Sequence, residues 1–162
     1  MIAGIKQFFD RFIDPGTHAA GPAKEHALQV ATAALLLELT RADGDISATE
    51  RDAVAVALRS HFALDAAEYD TLLALATEET RQANDYYQFT SLINRHCSRE
   101  EKLVIVENLW RVAMADAHLD AHELHLMRKL ADLLYIGHAD NAAAKQRARE
   151  AANLPAVQPS NT

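Results

Sequence analysis

Residues 42–50 read Ala42-Asp43-Gly44-Asp45-Ile46-Ser47-Ala48-Thr49-Glu50, and residues 115–123 read Ala115-Asp116-Ala117-His118-Leu119-Asp120-Ala121-His122-Glu123. The two stretches are offset by 73 residues without a gap, and four of their nine positions are identical. Ile46 and Leu119 are alike, and Ser47 and Asp120 are both helix-capping types. The likeness extends both ways: Leu36 aligns with Leu109, Leu39 with Val112, Val54 with Met127 and Phe62 with Tyr135. Each stretch sits between two runs of helical period. The repeated unit is therefore helix, acidic turn, helix, with a third helix after it. Two such units are expected to pack about a pseudo-twofold axis, each covering the other's apolar face. Glu38 and Arg111 also align, with opposite charge, which predicts a salt bridge near that axis.

Outward from the repeat, apolar residues recur at helical spacing over 23–41, 47–61, 66–81, 86–96, 99–115, 121–135 and 139–152. No strand pattern competes, so the fold class is all-α, a bundle of seven to eight helices with an internal repeat. In 23–41 the set Leu28, Val30, Leu35, Leu36, Leu37 and Leu39 wraps much of the circumference. In 99–115 the set Leu103, Val104, Ile105, Val106, Leu109, Trp110 and Val112 does the same. Helices apolar nearly all round belong at the centre of a bundle. A single stripe such as Val54, Ala57, Leu58 and Phe62 belongs to the outer layer.

The domain boundaries follow from the breaks. Residues 1–14 hold an amphipathic helix with Ile2, Ile5, Phe8, Phe9, Phe12 and Ile13 largely on one face, stopped by Asp14-Pro15-Gly16. Residues 15–22 form a linker. The helical domain spans 23–153, its repeats being about 23–81 and 98–153. The tail 154–162, with two prolines, is expected to be disordered. The N-terminal helix is expected to dock on the body or on a second copy. Its two basic residues against one acidic residue are weak equipment for peripheral membrane contact, the alternative use of residues 1–13.

Composition excludes several classes. The 49% hydrophobic and 24% charged residues are ordinary globular proportions, so the chain is neither wholly disordered nor collagen-like. Only 6% are aromatic, and Ala and Leu abound, which favours helix. Sixteen Lys and Arg against 23 Asp and Glu give a formal charge of −7, against a nucleic-acid partner. The longest uncharged apolar stretch, Ala27 to Leu37, falls far short of the ~20 residues of a membrane span, so no transmembrane segment is expected. The lone cysteine, Cys97, suits a reducing, cytoplasmic setting. Its place at a helix end is ordinary rather than catalytic.

Asp43-Gly44-Asp45-Ile46-x-x-x-Glu50 resembles the second half of an EF-hand loop. The first half fails, because Leu39 and Arg41 stand where the first two oxygen ligands should be, and calcium wants six to eight oxygens. Ser47-x-x-Glu50 and Asp120-x-x-Glu123 are also capping boxes, as are Asp65-x-x-Glu68 and Ser98-x-x-Glu101. Capping needs neither Asp43 nor Asp116, yet each repeat keeps an Asp seven residues before its Glu. Carboxylates gathered from both turns would repel unless a divalent cation or a basic partner neutralised them. His118, His122 and His125 beside Glu123 have the residue type for a transition metal. The order His122-Glu123-Leu124-His125 is not the zinc-protease pattern, and solvated surface histidines are the simpler reading. The chain has no glycine-rich phosphate loop, no G-x-S-x-G and no C-x-x-C.

At these residues the chain resembles the TerB-like (tellurite-resistance) family, closest to its stand-alone bacterial subgroup. The second repeat carries most of the likeness: Glu107-Asn108-Leu109-Trp110-Arg111-Val112-Ala113-Met114-Ala115-Asp116, then Leu119-Asp120, Glu123 and Arg128-Lys129-Leu130-Ala131-Asp132-Leu133-Leu134, with Phe89-Thr90 before it. The likeness covers roughly residues 25–150. It implies an all-helical, duplicated fold and a divalent-metal site of unspecified identity formed by Asp43 and Glu50 with Asp116 and Glu123. Asp45, His118, Asp120 and His122 are secondary candidates. Members are linked to tellurite resistance and stress response, and a related domain begins a membrane-anchored DnaJ-type co-chaperone. This chain has no His-Pro-Asp motif, and Ala117 stands where the family commonly has Gly.

The leading expectation is a non-enzymatic stress-response interaction module with a protein partner. It uses the four carboxylates as metal ligands or as a docking surface for a basic partner. One alternative is a metal-dependent hydrolase with a His as base. Another makes the turns purely structural and places the docking surface elsewhere.

Overall fold

A computed structural model of the chain describes residues 6–13, 21–42, 47–77, 85–115 and 121–151. These form a π-helical turn, Phe9–Ile13, and seven α-helices. The helices are α1 (Pro22–Ala42), α2 (Ala48–Phe62), α3 (Ala66–Thr77), α4 (Asp85–His96), α5 (Arg99–Ala115), α6 (Ala121–Leu133) and α7 (His138–Ala151). No strand occurs among the described residues. The sequence-predicted tail 154–162, linker residues 15–20 and segment 78–81 lie outside them.

α1 is the central rod. Ala27, Leu28, Val30, Ala31, Ala33, Ala34, Leu35 and Leu37 are all buried. It touches the π turn, α2, α3, α4 and α5. Full burial of a leucine such as Leu35 is worth roughly 1.5–3 kcal/mol. α5 is the second centre and packs on α1, α6 and α7. Its wrap is less complete than the apolar count predicts. Ile105, Val106, Leu109, Trp110 and Val112 are buried, but Val104 is 39% exposed. The stripe of α2 also needs correction. Ala55, Leu58 and Phe62 face the core, Val54 is half-buried, and Ala57 is exposed.

The start of the chain docks on the body. Phe8, Phe9 and Ile13 are buried, the turn packs on α1, and Phe9 meets Phe89 edge-on at 6.1 Å.

Helix ends follow local chemistry. Asp65 and Glu68 form a reciprocal capping box: Asp65 N–H donates to Glu68 Oε1 at 3.0 Å and Glu68 N–H to Asp65 Oδ1 at 2.8 Å. Ser98 and Glu101 form another, at 2.9 and 3.2 Å. α2 and α6 close alike. Leu64 N–H donates to Arg59 O at 3.3 Å, and Ile136 N–H to Ala131 O at 2.8 Å. Between them Ala63 and Tyr135 take left-handed φ values of 50° and 59°. This is the Schellman closure, with Leu64 and Ile136 as its buried apolar followers.

These closures correct the register of the repeat. Tyr135 matches Ala63 rather than Phe62, an offset of 72 rather than 73. Burial agrees: Phe62 is 4% exposed and Tyr135 78%, whereas Leu134 is 0%. Likewise Met127 matches the buried Ala55 rather than the half-buried Val54. Counted from its first residue to its left-handed closing residue, α6 is therefore one residue shorter than α2.

Each half also carries the same clamp. In the first, His26 Nε2 lies 2.9 Å from both carboxylate oxygens of Glu68. In the second, Arg99 pairs with Asp140. A basic side chain at the start of the first helix holds an acid at the start of the third.

Candidate functional site

The residues the sequence singles out fall in the stretches of chain between α1 and α2 and between α5 and α6, and at the starts of α2 and α6. Asp43, Asp45, Asp116, His118 and Asp120 lie outside the described residues. Glu50 belongs to the first turn of α2, and His122 and Glu123 to the first turn of α6, but their side chains also lie outside the described set. Among the described residues, no three His, Cys, Asp or Glu side chains gather as a metal site. His125, third of the clustered histidines, is exposed. Cys97 is buried.

The scaffold that presents the turns is well defined. α1 leads into the first turn and α5 into the second, and these two helices pack together. At their N-terminal ends Lys24 Nζ lies 3.8 Å from Glu101 Oε2. Toward the C-terminal end of α1, Glu38 is 3% exposed, and Thr40 Oγ1–H donates to Leu37 O at 2.9 Å. Arg111 Nη2 pairs with Glu107 Oε2 at 2.9 Å. Glu107 also holds Arg147 of α7. Burial, and then the Arg111 charge, hold the imidazole of His61 below the ordinary histidine pKa.

α5 is fastened to α7 through its indole. Trp110 Nε1–H donates to Asn141 Oδ1 at 2.8 Å, with both residues buried. Asn94 Nδ2–H donates to Leu133 O at 2.8 Å and so closes the C-terminal end of α6. Lys102 donates to Asn94 Oδ1 at 3.3 Å and lies over the Tyr135 ring.

Two features escape the sequence reading. One is an open groove of about 380 Å³ lined by Gln7, Phe8, Arg11, Phe12, Thr71, Ala74 and Leu75. It forms only where the N-terminal segment meets α3, so no local pattern marks it. The other is the Lys145 ammonium, 5.2 Å from the centroid of the Trp110 ring, its pKa lowered by burial first and then by the charges of Arg149 and Arg128. The spacing of Lys145 and Arg149 puts them on one helix face.

Comparison with known proteins gives one family. The family model described as tellurite resistance protein TerB matches residues 29–146, most of the chain. No curated protein and no solved structure is a match for the chain. The matched region takes in both acidic stretches, most of α1 and all of α5, and the chain belongs to the tellurite-resistance TerB family.

Proposed function

We propose that this chain is a non-enzymatic interaction module of a stress response, binding a divalent cation through Asp43 and Glu50 of one turn with Asp116 and Glu123 of the other. The observation that carries the reading is the direct packing of α1 on α5, with Lys24 and Glu101 side by side at their N-terminal ends. Helices that pack along one another from a common start deliver their C-terminal turns toward a common end. Two acidic turns delivered together bring like charges close, and at an effective surface dielectric each pair about 4 Å apart costs ~4 kcal/mol. A bound cation removes that cost. Oxygen-only ligands suit a hard ion such as calcium or magnesium, with the turn histidines as auxiliary donors for a softer one. Occupancy would then fix the relative positions of α2 and α6 and so present or withdraw a surface for a protein partner.

The test is calorimetric titration of chelator-treated protein with calcium, magnesium and zinc, beside the Asp43→Asn/Asp116→Asn double variant. Saturable binding by the wild type that the double variant lacks is the expected result. Absence of binding in the wild type, with a variant that is merely less stable, would reduce the turns to helix caps.

A further inference from the structure

The N-terminal segment has more apolar surface than its docking uses. Phe8, Phe9 and Ile13 are buried, but Phe12 is only half-buried. Phe12 lines the open groove of about 380 Å³ between this segment and α3. Phe8 and Phe12 supply one wall, their ring centroids 5.2 Å apart. Phe8 also meets the buried Phe89 of α4 at 6.3 Å, so that wall is anchored in the core. Ala74 and Leu75 supply the other wall from α3.

The polar groups at the groove are few. The Thr71 hydroxyl donates to Ala67 O at 2.8 Å, so its proton is already used. Gln7 and Arg11 are exposed and line the groove from the N-terminal segment. Among the described residues no carboxylate engages Arg11 and no hydrogen bond engages the Gln7 amide. The Arg11 guanidinium lies over the Phe12 ring instead, 5.0 Å from its centroid. Arg11 stands in the last turn of its segment, where a positive charge suits the helix dipole. That accounts for a cation there but not for its place beside apolar walls. Nor does composition, since acids outnumber Lys and Arg by 23 to 16 and this guanidinium has taken none of them.

Small-molecule sites are concave, about 300–1,000 Å³, largely apolar, and carry a few placed polar groups. The groove has each of these properties. A stable protein interface uses about 20–30 residues a side, whereas seven line this groove. Its size and lining therefore suit a small molecule better than a partner chain. At about 30 Å³ for a water-sized group, it holds roughly a dozen heavy atoms.

We propose that the groove binds a free medium-chain fatty acid, with the chain along Phe8, Phe12, Ala74 and Leu75 and the carboxylate on the Arg11 guanidinium. The Gln7 amide is the second donor. A planar guanidinium takes both carboxylate oxygens at once. The apolar walls favour a ligand with a tail over a bare inorganic anion, and one guanidinium matches a head of single charge. None of the acidic-turn residues lines the groove, so this proposal and the divalent-cation reading stand or fall separately.

Octanoate, decanoate and dodecanoate are titrated as monomers into the full chain by calorimetry. Saturable binding is expected. Full burial of a methylene tightens binding roughly fourfold, and in an open groove about twofold is expected for each. Arg11→Gln should weaken decanoate about tenfold and leave decanol unchanged. Ala74→Phe, at an exposed position, should fill the groove and abolish binding of both at an unchanged melting temperature. Lys6→Gln removes an exposed cation of the same segment that does not line the groove, and should bind as the wild type does. The proposal is overturned if the wild-type heat does not saturate, if Ala74→Phe binds decanoate normally, or if Lys6→Gln weakens binding as much as Arg11→Gln. Sedimentation with anionic phospholipid vesicles tests the other source of acyl chains. Recruitment that Ala74→Phe leaves intact, without binding of the monomeric acids, makes the segment a membrane contact and overturns the proposal as well. The chain-length series on the wild type decides the first outcome, so a variant that folds poorly cannot shelter the idea.

Discussion

Replacing Ala63 by glycine should make this protein more stable. Ala63 closes α2 at φ 50°, a left-handed position held by the Leu64 N–H to Arg59 O bond at 3.3 Å. An L-residue there costs roughly 1–2 kcal/mol, which glycine avoids. Glycine also loosens the unfolded chain, at a cost of about 0.4–1 kcal/mol. Ala63 is exposed, so no packing is lost. The net gain for Ala63→Gly is about 0.5–1 kcal/mol, which is ~1–4 °C in Tm for a domain of this size. The matching position gives an internal control. Tyr135 has φ 59°, and the Lys102 ammonium lies 5.6 Å from its ring centroid. Tyr135→Gly forfeits that contact, about 0.5 kcal/mol at an exposed site, and should come out near neutral. Ala63→Val should destabilise, because a β-branched residue suits a left-handed φ worst. Urea and thermal melts of the three variants, compared at unchanged m, read the order directly. The reasoning is refuted if Ala63→Gly lowers Tm or if Tyr135→Gly gains more than Ala63→Gly.

Three further outcomes can be checked with similar means. Asn141→Leu strands the buried Trp110 N–H and should cost about 1–3 kcal/mol, much of it recovered when Trp110→Phe is added, as a double-mutant cycle would read. His61 has its pKa lowered by burial and by Arg111, so the unfolded chain takes up its proton first as pH falls. Stability should therefore drop as pH falls through ~6.5 and level off below the depressed folded value; His61→Gln should flatten that step in urea midpoints taken on either side. Glu38 is buried, and a salt bridge to Arg111 predicts favourable coupling between Glu38→Arg and Arg111→Glu; additive losses would leave Arg111 to Glu107 alone.

The centre of the bundle was legible because its periodicity is global. Apolar residues around most of α1 leave it no solvent face, and any all-helical packing must put it inside. Capping boxes at Asp65 and Ser98 were legible for the opposite reason, since a cap needs only four consecutive residues. The ends of α2 and α6 were not, because the usual glycine signal is missing and the left-handed residues are Ala63 and Tyr135. That is why the repeat read at an offset of 73 throughout, when its second part runs at 72. The N-terminal helix was visible as an apolar face, but its π bonding over Phe9–Ile13 has no sequence mark. At the candidate site, the acidic turns announced themselves by repetition. The contact of Lys145 with Trp110 did not, because the two residues lie on different helices and meet only through tertiary packing.

One residue fewer from the start of α6 to its left-handed closing residue than in α2 has a geometric consequence. In a helix, a residue is a rotation of ~100° and an advance of 1.5 Å. That change is taken up before Met127, since Met127, Leu130 and Leu134 are buried as Ala55, Leu58 and Phe62 are. α3 divides its contacts between α1 and α2, whereas α7 lies chiefly along α5. A duplicated chain of this kind behaves like a gear pair with one tooth filed away. The buried faces still mesh, but the third helix of each half packs on its own set of neighbours. The Lys145 contact with the Trp110 ring belongs to one flank, where α7 meets α5.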